Sequence, residues 1–558
     1  MDPQRVGAPL GALPAWMALP LILTACRGYL PSTVEDSAVP TEIAATEETG
    51  APDDSPGETG PFAPGLVATV EASPEPPQAL VVLATLQDST VDVGGTVVVD
   101  WTVDVDDDDE DHPFRYRLVD GDGQTLHTDS DPGPVQVHEY LSFYSDIGGF
   151  DILDLFPMMG NFPVVLPLVE GAEDVVFELR TGDGEWFEAG TWDLARADIE
   201  HVGPSEAVVG HETLFGSEVQ GSVLDIAIVG DGYTAGELDQ YALDAAAAAA
   251  AILEAEPLAT YADRIAIHRV DTVSAESGVS YDCIGECRLR DTAFESIFAL
   301  EFVNLILGSD YRTAPVFQLD QWEVARAASV VPFDAVLVIA NTEHTGGFAL
   351  HYATVPTGSG TWTGTAVHEL AHVLGRLGDE YVADLCVPRT ALGLPLNITD
   401  NMVGPPWEHW IEDTTPVPTP DTSDYDGVIG TFAGAMNCED LYRPARTCKM
   451  ESSSEADFCQ VCAEQLVRRT LGGFDIIDTV EVEETGGLRA RVTTTVDATI
   501  TWTLDGQGVG TTGPGEWIAL DPTGPGRVEA RATLASPWLR TDYAAVSEVR
   551  SIEITEAR

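Results

Sequence analysis

The 558-residue chain is almost without lysine. Lys449 is its only lysine, and 26 basic residues stand against 93 acidic ones, which gives a formal net charge of −67. A surface with this excess of negative charge repels phosphate backbones and anionic lipid headgroups. We therefore exclude nucleic-acid binding and attachment to a membrane through basic groups. The acidity indicates a solvated surface that resists aggregation.

Long uncharged apolar stretches are lacking as well. None reaches the roughly 18 residues that a membrane-spanning helix needs, and Asp244 and Glu254 interrupt the alanine-rich run near residue 250. We therefore expect no transmembrane span. The apolar run "AWMALPLILTA" (15 to 25) is shorter still and is typical of the apolar region of a signal peptide.

Cys26 follows this run directly, in the sequence "LTAC". These residues resemble the bacterial lipobox, in which the cysteine is lipidated and becomes the new N-terminus. Residues 1–26 are therefore predicted to be a lipoprotein-type signal peptide; an ordinary secretory signal with an incidental Cys26 is the alternative. Both predict export, to the bacterial cell surface or outer membrane or into the medium. The only membrane contact expected is a lipid anchor at Cys26.

Composition divides much of the remaining chain. Residues 27–78 are rich in Pro, Ser, Thr and acidic groups, which predicts a disordered linker. Residues 79–203 and 476–558 contain β-branched runs of period two between Gly, Asp and Pro turns. They predict an N-terminal β domain and a C-terminal Ig-like β-sandwich. The acidic insert "DDDDEDH" (106 to 112) lacks the spacing of a calcium-binding EF-hand, so we interpret it as a solvated loop.

Residues 204–475 follow a different pattern. Apolar strands such as "VLDIAIVGDGYT" and "FDAVLVIANT" alternate with long helical stretches, one of which ends at Pro257. This alternation predicts a three-layer α/β unit between the two β domains. Farther along, "GGFALHYATV" (346 to 355) is predicted to be an edge strand.

Cysteine is scarce and unevenly placed. Apart from Cys26, all seven cysteines lie between residues 283 and 462. Export permits disulfides, so we expect one cross-linked domain with at least one unpaired cysteine, and Cys283 with Cys287 cross-linking a loop. A structural four-cysteine zinc site is the alternative to disulfides for the remaining group, which consists of Cys438, Cys448, Cys459 and Cys462.

The stretch "HELAHVLGRLGDEY" (368 to 381) carries residues suited to metal chemistry. On a helix, residues four apart share a face, so His368 and His372 can present two imidazoles to one metal ion while Glu369 lies beside them. The ligand types favour a single zinc ion. The alternative is an amphipathic helix with two surface histidines.

Two imidazoles leave a tetrahedral catalytic zinc short of one protein ligand. In the metzincin pattern, a glycine ends the helix and a third histidine returns to the metal; Gly375 and Gly378 occupy those two places here. A turn through both glycines would bring Asp379 to the metal, with Glu380 as the reserve candidate. Helix capping or hydrogen bonding to an imidazole is the alternative role for both acidic groups.

The whole stretch resembles the signature of the bacterial IgA-peptidase family of zinc metallopeptidases, in which HExxH is followed by a Gly turn and Asp-Glu-Tyr. The resemblance extends over residues 204–475 and implies a zincin-type fold, one zinc ion and hydrolysis of a protein or peptide substrate. It does not imply that immunoglobulin is the substrate. Four further stretches resemble blocks of that family in the same order, namely "IVGDGYT" (228 to 234), "DTAFESIF" (291 to 298), "PWEHWIE" (406 to 412) and "CKMESSSEADFCQVC" (448 to 462).

Carried over by position, the resemblance implies that His368 and His372 are metal ligands, that Asp379 is the third ligand and that Glu369 is the catalytic carboxylate. Zinc lowers the pKa of bound water toward about 7, so zinc-bound water is the expected nucleophile and Glu369 the general base and then acid. Tyr381 is a candidate donor to the oxyanion, with bracing of the turn as the alternative. The edge strand is expected to align an extended substrate.

Five other residues carry two interpretations each. Met450 is either a hydrophobic base beneath the zinc or a plain core residue. Asp231 and Tyr233 either border the cleft or belong to a tight glycine turn. His344 and His351 either contact substrate or lie on the surface.

Two other functions compete with a zinc endopeptidase. One is a cell-surface binding protein with an inactive zincin scaffold, against which the intact His368, Glu369 and His372 argue. The other is a zinc exopeptidase whose third ligand is Glu464. Measuring the metal content together with protein hydrolysis distinguishes a peptidase from a binding protein. The products formed from blocked peptides distinguish an endopeptidase from an exopeptidase.

Overall fold

In the computed structural model the chain is a multidomain, strand-rich protein. The predicted signal peptide with Cys26, the insert at 106–112 and the cysteines at 283, 287 and 386 lie outside the residues that the structure describes. No helix among the described residues has the length and apolar character to cross a membrane. The described residues are 66–70, 78–87, 89–102, 114–131, 161–180, 185–194, 201–216, 224–281, 289–298, 316–382, 394–436, 438–452, 456–471, 476–484, 487–522, 524–540 and 545–556.

Two antiparallel sheets, ordered β3-β2-β6 and β5-β4-β7-β8, form most of the N-terminal part. In β4, Phe114, Tyr116 and Leu118 point into the core between these sheets, and Arg115 and Arg117 alternate with them at half-buried positions. This is the period-two pattern of a strand with one buried face. The strands are β1 (Leu66–Val70), β2 (Gln78–Gln87), β3 (Thr90–Thr102), β4 (Phe114–Val119), β5 (Thr125–Asp131), β6 (Asn161–Pro167), β7 (Asp174–Arg180) and β8 (Trp186–Asp193).

Strand β2 is buried on both faces. Leu80 and Val82 lie in the core between the N-terminal sheets, whereas Val81 and Leu83 lie in a second core that includes residues of the α/β part. Its sequence is therefore a continuous apolar run without alternation. The N-terminal β part consequently packs directly against the α/β part.

The α/β part is organised around a six-stranded sheet with the order β16-β17-β15-β10-β11-β9. Strands β10, β11, β15 and β17 are parallel, and β16 and β9 are antiparallel to their neighbours. Its elements are β9 (Val208–Phe215), β10 (Leu224–Asp231), α1 (Leu238–Glu254), β11 (Ile265–Thr272), β12 (Ser280–Tyr281), β13 (Ser296–Phe298), β14 (Val316–Gln318), α2 (Gln321–Ala328), β15 (Ala335–Ala340), β16 (Phe348–Ala349), β17 (Ala353–Pro356), α3 (Trp362–Gly375), β18 (Phe432–Ala435), β19 (Cys438–Arg443) and α4 (Gln460–Leu471).

Both faces of this sheet are covered. Helices α1, α3 and α4 share one core with Ile228 of β10 and Leu337 of β15. On the other face, α2 and strands β2 and β3 pack around Val229 and Val338. The alternating strands and helices of the sequence thus form the predicted three-layer arrangement, with β strands from the N-terminal part completing the third layer.

The stretch 346–355 was predicted to be one edge strand, and this is wrong. The chain reverses within it, so that β16 pairs antiparallel with β17, Phe348 lying opposite Thr354. Only the two-residue β16 is at the sheet edge, because β17 is covered by β15 on its other side. This reversal could not be predicted from the sequence, since both arms are apolar and no Gly or Pro separates them.

Two further sheets, ordered β20-β21-β24 and β1-β26-β25-β22-β23, form the C-terminal part. Their inward side chains share one core around the fully buried Trp502, which is a sandwich architecture. Its classification as Ig-like stays a prediction. The strands are β20 (Thr479–Glu483), β21 (Leu488–Thr493), β22 (Ala498–Leu504), β23 (Gln507–Thr512), β24 (Ile518–Leu520), β25 (Gly526–Leu534) and β26 (Ser547–Glu556).

Strand β1 corrects part of the linker prediction. Residues Leu66–Val70 fall within the segment 27–78 that was predicted to be disordered. All five nevertheless pair antiparallel with β26, from Leu66 opposite Glu556 to Val70 opposite Ile552. Only five residues take part, and their apolar alternation is too short to stand out in an acidic, proline-rich segment. The strand forms because the edge of the C-terminal sheet offers backbone hydrogen-bonding groups to residues 66–70, a contact that the local sequence does not indicate.

Candidate active site

Helix α3 presents the HExxH motif, the candidate metal-binding motif of the sequence, on its buried face. Ala366, Leu370 and Ala371 pack into the core shared with α1 and α4. This packing turns His368, 4% exposed, and Glu369, 7% exposed, inward. The motif therefore does not lie on a solvent-facing helix, and the alternative of two surface histidines is wrong.

The helix ends differently from the expected glycine turn. Gly375 is its last residue, and the left-handed conformation belongs to Arg376, with φ 50° and ψ 40°. A Cβ on Gly375 would lie 2.9 Å from the Leu466 side chain of α4. Gly375 is therefore needed for the close approach of α3 to α4, and the chain reversal falls one residue later than predicted.

The segment after the helix is fixed by Asn397. The N–H of Gly378 donates to Asn397 Oδ1 at 2.8 Å, and Asn397 Nδ2 donates back to Gly378 O at 2.9 Å. A Cβ on Gly378 would lie 2.7 Å from the Pro395 ring. These contacts hold the turn that brings Asp379 beside the two histidines.

Three donor atoms meet at the end of this turn. His368 Nε2 lies 3.2 Å from His372 Nε2 and 3.1 Å from Asp379 Oδ1, and His372 Nε2 lies 3.4 Å from the same oxygen. Tetrahedral zinc with bonds of about 2.1 Å has ligand atoms roughly 3.4 Å apart. The spacing of the three donors therefore fits a small tetrahedral cation.

Backbone carbonyls orient both imidazoles. His368 Nδ1 lies 2.8 Å from the carbonyl oxygen of Lys449, and His372 Nδ1 lies 2.6 Å from that of Leu377. A ring nitrogen that donates to a carbonyl leaves the other nitrogen free to bind a metal ion. Both Nε2 atoms are therefore directed at the same point as Asp379 Oδ1.

The electrostatics of this cluster favour a positive charge. Burial acts to raise the pKa of Asp379, but the neighbouring imidazoles outweigh it and hold that pKa well below its usual range. Burial likewise acts to lower the pKa of His372, yet Asp379 and Glu369 raise it to about 9. The protein thus attracts protons to the imidazoles around an ionised carboxylate, which is also the environment that a bound cation requires.

Glu369 lies beside the three donors. Its Oε2 is 4.0 Å from His372 Nε2, and burial raises the pKa of its carboxyl group despite the opposing effect of the two histidines. Gly347, just before β16, leaves room for it, because an ideal Cβ there would lie 2.7 Å from Glu369 Cδ. The carboxyl group is therefore confined between α3 and the edge of the sheet.

Tyr381 and Glu380 take different places. Tyr381 OH donates to Asp379 Oδ2 at 2.9 Å and its side chain is 38% exposed, so it braces the carboxylate as in the alternative role and also faces solvent. Glu380 is fully buried and its Oε1 accepts from Asn397 and from Cys462. Asp379, and not the reserve candidate Glu380, therefore faces the histidines.

Glu464, the exopeptidase alternative, does not reach these donors. It is fully buried on α4, and its Oε2 lies 2.7 Å from His409 Nε2 and 2.8 Å from Trp410 Nε1. His409 and Trp410 belong to the stretch "PWEHWIE". That stretch therefore holds α4 in place through a buried carboxylate.

Asp231 and Tyr233 are structural. Asp231 is fully buried and accepts hydrogen bonds from the backbone N–H groups of Gly232, Phe294 and Ser296. Tyr233 is fully buried and its hydroxyl group donates to Asp244 Oδ2. The blocks "IVGDGYT" and "DTAFESIF" therefore meet at a buried carboxylate, and neither residue borders the cleft.

The remaining candidates also have defined places. Met450 is fully buried in the core with α3 and α4. His351 is half-buried; its ring stacks on Phe162 at 5.7 Å and its Nε2 atom is buried, so it is neither a surface group nor aimed at the donors. His344 stacks on Phe298 and lines a cavity of about 990 Å³ that includes Arg290 and Tyr281 but none of the motif residues.

Among the described cysteines, the disulfide interpretation holds only for Cys438. Cys438 is disulfide-bonded, whereas Cys448, Cys459 and Cys462 are free and buried. The predicted disulfides are therefore absent from these last three residues, and a four-cysteine zinc site that includes Cys438 is wrong. Sequence spacing cannot establish which cysteines pair.

Comparison with known proteins bears on this site directly. Residues 214–425 match the family model described as IgA Peptidase M64. No curated protein matches the chain. The match begins in β9, includes α3 and the turn to Asp379, and ends before the three free cysteines. It confirms the resemblance found in the sequence and supports a peptidase.

Proposed function

Because the chain carries a peptidase domain of the IgA peptidase M64 family, we propose that it is a zinc-dependent endopeptidase that hydrolyses peptide bonds of extracellular proteins. The observation that carries the proposal is the triangle of His368 Nε2, His372 Nε2 and Asp379 Oδ1, with sides of 3.1 to 3.4 Å, beside the confined carboxyl group of Glu369. Two imidazoles, one carboxylate and an open side form the donor set of a catalytic zinc.

His368, His372 and Asp379 would hold the ion. When bound, zinc polarises a carbonyl oxygen and makes water acidic enough to act near neutral pH. The lowered pKa of Asp379 keeps its carboxylate ionised, and the carbonyl groups of Lys449 and Leu377 each hold a proton on the facing Nδ1 atom, so that both imidazoles would bind through Nε2. Binding would release the protons that the imidazoles hold without the ion.

Glu369 would carry the proton. Its carboxyl group lies beside the donor triangle, with Oε2 4.0 Å from His372 Nε2. A carboxylate there accepts a proton from the attacking water and returns it to the leaving amine. Its buried position raises the affinity for that proton, which suits a group that must first accept and then donate. Before the reaction, the Tyr381 hydroxyl group would donate a hydrogen bond to Asp379. Its exposed side chain would then turn toward the oxyanion.

The short edge strand β16 would align the substrate. It is the last strand in the order of the six-stranded sheet among the described residues, and a Cβ on Gly347, immediately before it, would lie 2.7 Å from Glu369 Cδ. A substrate in extended conformation that pairs with this edge would lie across the catalytic carboxyl group. Backbone pairing of this kind tolerates many side chains, so the proposal does not restrict the enzyme to immunoglobulin.

Location is part of the same proposal. An exported lipoprotein or secreted enzyme meets proteins outside the cell, and the net charge of −67 keeps such a protein soluble. We expect mature protein to begin at Cys26 with a lipid on its sulfur. Mass spectrometry of the mature N-terminus after expression in a bacterium tests this, and an unmodified residue at a different start would exclude the anchor.

The experiment compares casein hydrolysis and zinc content in the wild-type protein and in Glu369→Gln. The variant should retain zinc and lose activity by 10²-fold or more, because it keeps the ligands and loses the proton carrier. Glu254→Gln, at an exposed site on α1, is the matched control and should be fully active. Equal digestion by Glu369→Gln would refute the proposal, and cleavage of peptides blocked at both ends would distinguish an endopeptidase from an exopeptidase.

A further inference from the structure

A second cluster of metal-binding groups lies next to the donor triangle but shares no residue with it. Glu380, Cys448, Cys459 and Cys462 each offer one ligand atom, and these four atoms lie within 4.8 Å of one another. Cys462 Sγ is 3.0 Å from Glu380 Oε1, and the N–H of Cys459 donates to Cys448 Sγ at 3.4 Å. All three thiols are free.

This cluster is withdrawn from solvent. Glu380, Cys448 and Cys462 are 0% exposed and Cys459 is 7% exposed. Glu380 Oε1 accepts from Asn397, but the buried Oε2 has no hydrogen-bond partner among the described residues. A buried carboxyl group with an unpaired oxygen is unfavourable unless a cation or a donor compensates it. The described side chains therefore form an acidic and thiol-rich pocket in which one carboxyl oxygen has no partner among the described residues.

We propose that Glu380, Cys448, Cys459 and Cys462 bind a second, structural zinc ion. Three thiolates and one carboxylate form a closed set of four ligands, as structural zinc requires, and soft sulfur ligands favour zinc over magnesium or calcium. A tetrahedron with zinc–sulfur bonds of about 2.3 Å has edges of about 3.8 Å. The cluster needs only small adjustments to reach that size. Binding releases the thiol protons, and no redox step is involved.

A disulfide explains the cluster less well. One disulfide would use two of the three cysteines and leave only the third thiol to face Glu380. The buried Oε2 atom of Glu380 would still have no partner among the described residues. A zinc ion accounts for all four side chains and for the unpaired oxygen at once.

The position of the cluster suggests what the ion does. Cys448 precedes Lys449, whose carbonyl oxygen orients His368, and Glu380 follows Asp379, the third donor of the triangle. Cys462 lies on α4, which packs against α3. The ion would therefore connect three segments that position the proposed catalytic ligands without touching the substrate. The inference concerns separate residues and holds whether or not the catalytic proposal does.

The test uses full-length exported protein purified without chelator, together with the double variant His368→Ala/His372→Ala. Metal analysis and zinc-edge X-ray absorption should find two zinc ions in the wild type. The double variant should retain one, with about three sulfur neighbours at about 2.3 Å. Sulfur scattering identifies the second site alone, because the catalytic triangle contains no sulfur. A double variant with no zinc, or with only nitrogen and oxygen neighbours, would overturn the inference.

The outcomes for the two proposals differ. If the catalytic proposal fails and this one holds, wild type and double variant both contain one sulfur-bound zinc.

Peptide mapping under denaturing, non-reducing conditions adds a test that needs no variant: Cys448, Cys459 and Cys462 should be alkylated as free thiols. A disulfide between any two of them would contradict the inference. Glu380→Gln, which keeps the hydrogen bond from Asn397, should retain the sulfur signal but bind zinc at least 10-fold more weakly.

Discussion

A methyl group added at Gly347 would occupy the space of the Glu369 carboxyl group. An ideal Cβ at this position lies 2.7 Å from Glu369 Cδ and closer still to Oε1, where ordinary contacts begin at 3.4 Å. Gly347 is not among the glycines with positive φ, so an alanine there causes no backbone strain. Gly347→Ala should therefore displace the carboxyl group by roughly 1 Å and leave the metal ligands in place.

A misplacement of about 1 Å in a catalytic group costs on the order of 10²-fold in rate, which corresponds to about 2.7 kcal/mol of transition-state stabilisation. We expect kcat/KM for a fluorogenic peptide to fall by that factor while zinc content stays at the wild-type value. Gly360→Ala is the control, because nothing lies within 4 Å of a Cβ there. Full activity in Gly347→Ala, or loss of zinc along with activity, would refute the assignment of Glu369 beside the edge strand.

Three further predictions concern residues around the site and the core. Tyr381→Phe removes the hydrogen bond to Asp379 Oδ2 and should lower the affinity for zinc about 10-fold in chelator competition. Unchanged affinity would show that this hydrogen bond does not contribute to zinc binding. Asp231→Ala leaves several buried donors unpaired and should lower the free energy of unfolding by about 4 kcal/mol, whereas a loss below about 1 kcal/mol in urea titration would contradict the structural role. Burial lowers the pKa of His351 to about 3. Below about pH 6.5 the unfolded chain therefore binds a proton at this residue while the folded state does not. The folded state consequently loses stability as the pH falls from about 6.5 toward 3. Relative to His351→Phe, the wild type should lose on the order of 2 kcal/mol between pH 8 and pH 5, and equal losses in urea titrations of the two proteins would refute this.

Local sequence spacing was enough to predict the residues that the structure brings together. The four-residue interval between His368 and His372 works because the helix itself places both on one face. Asp379 was within reach because only a short turn separates it from the helix. Strands such as β10 were recognisable from continuous apolar runs, since a parallel sheet covered on both faces buries every residue.

Contacts that depend on the tertiary fold left no such pattern. The carbonyl group of Lys449 orients His368 across 81 positions, and a backbone group has no side-chain signature. Asn397 and Gly347 are unremarkable in the sequence, because their importance comes from what lies opposite them. The sequence predicted a turn through Gly375 and Gly378, whereas the left-handed residue is Arg376, and a Cβ on Gly375 would lie 2.9 Å from the Leu466 side chain of α4.

Anomalous diffraction at the zinc absorption edge, from crystals of active, metal-loaded protein, tests the central claim most directly. The account predicts a strong peak about 2.1 Å from each of His368 Nε2, His372 Nε2 and Asp379 Oδ1. Active protein with no anomalous peak at that triangle would contradict it.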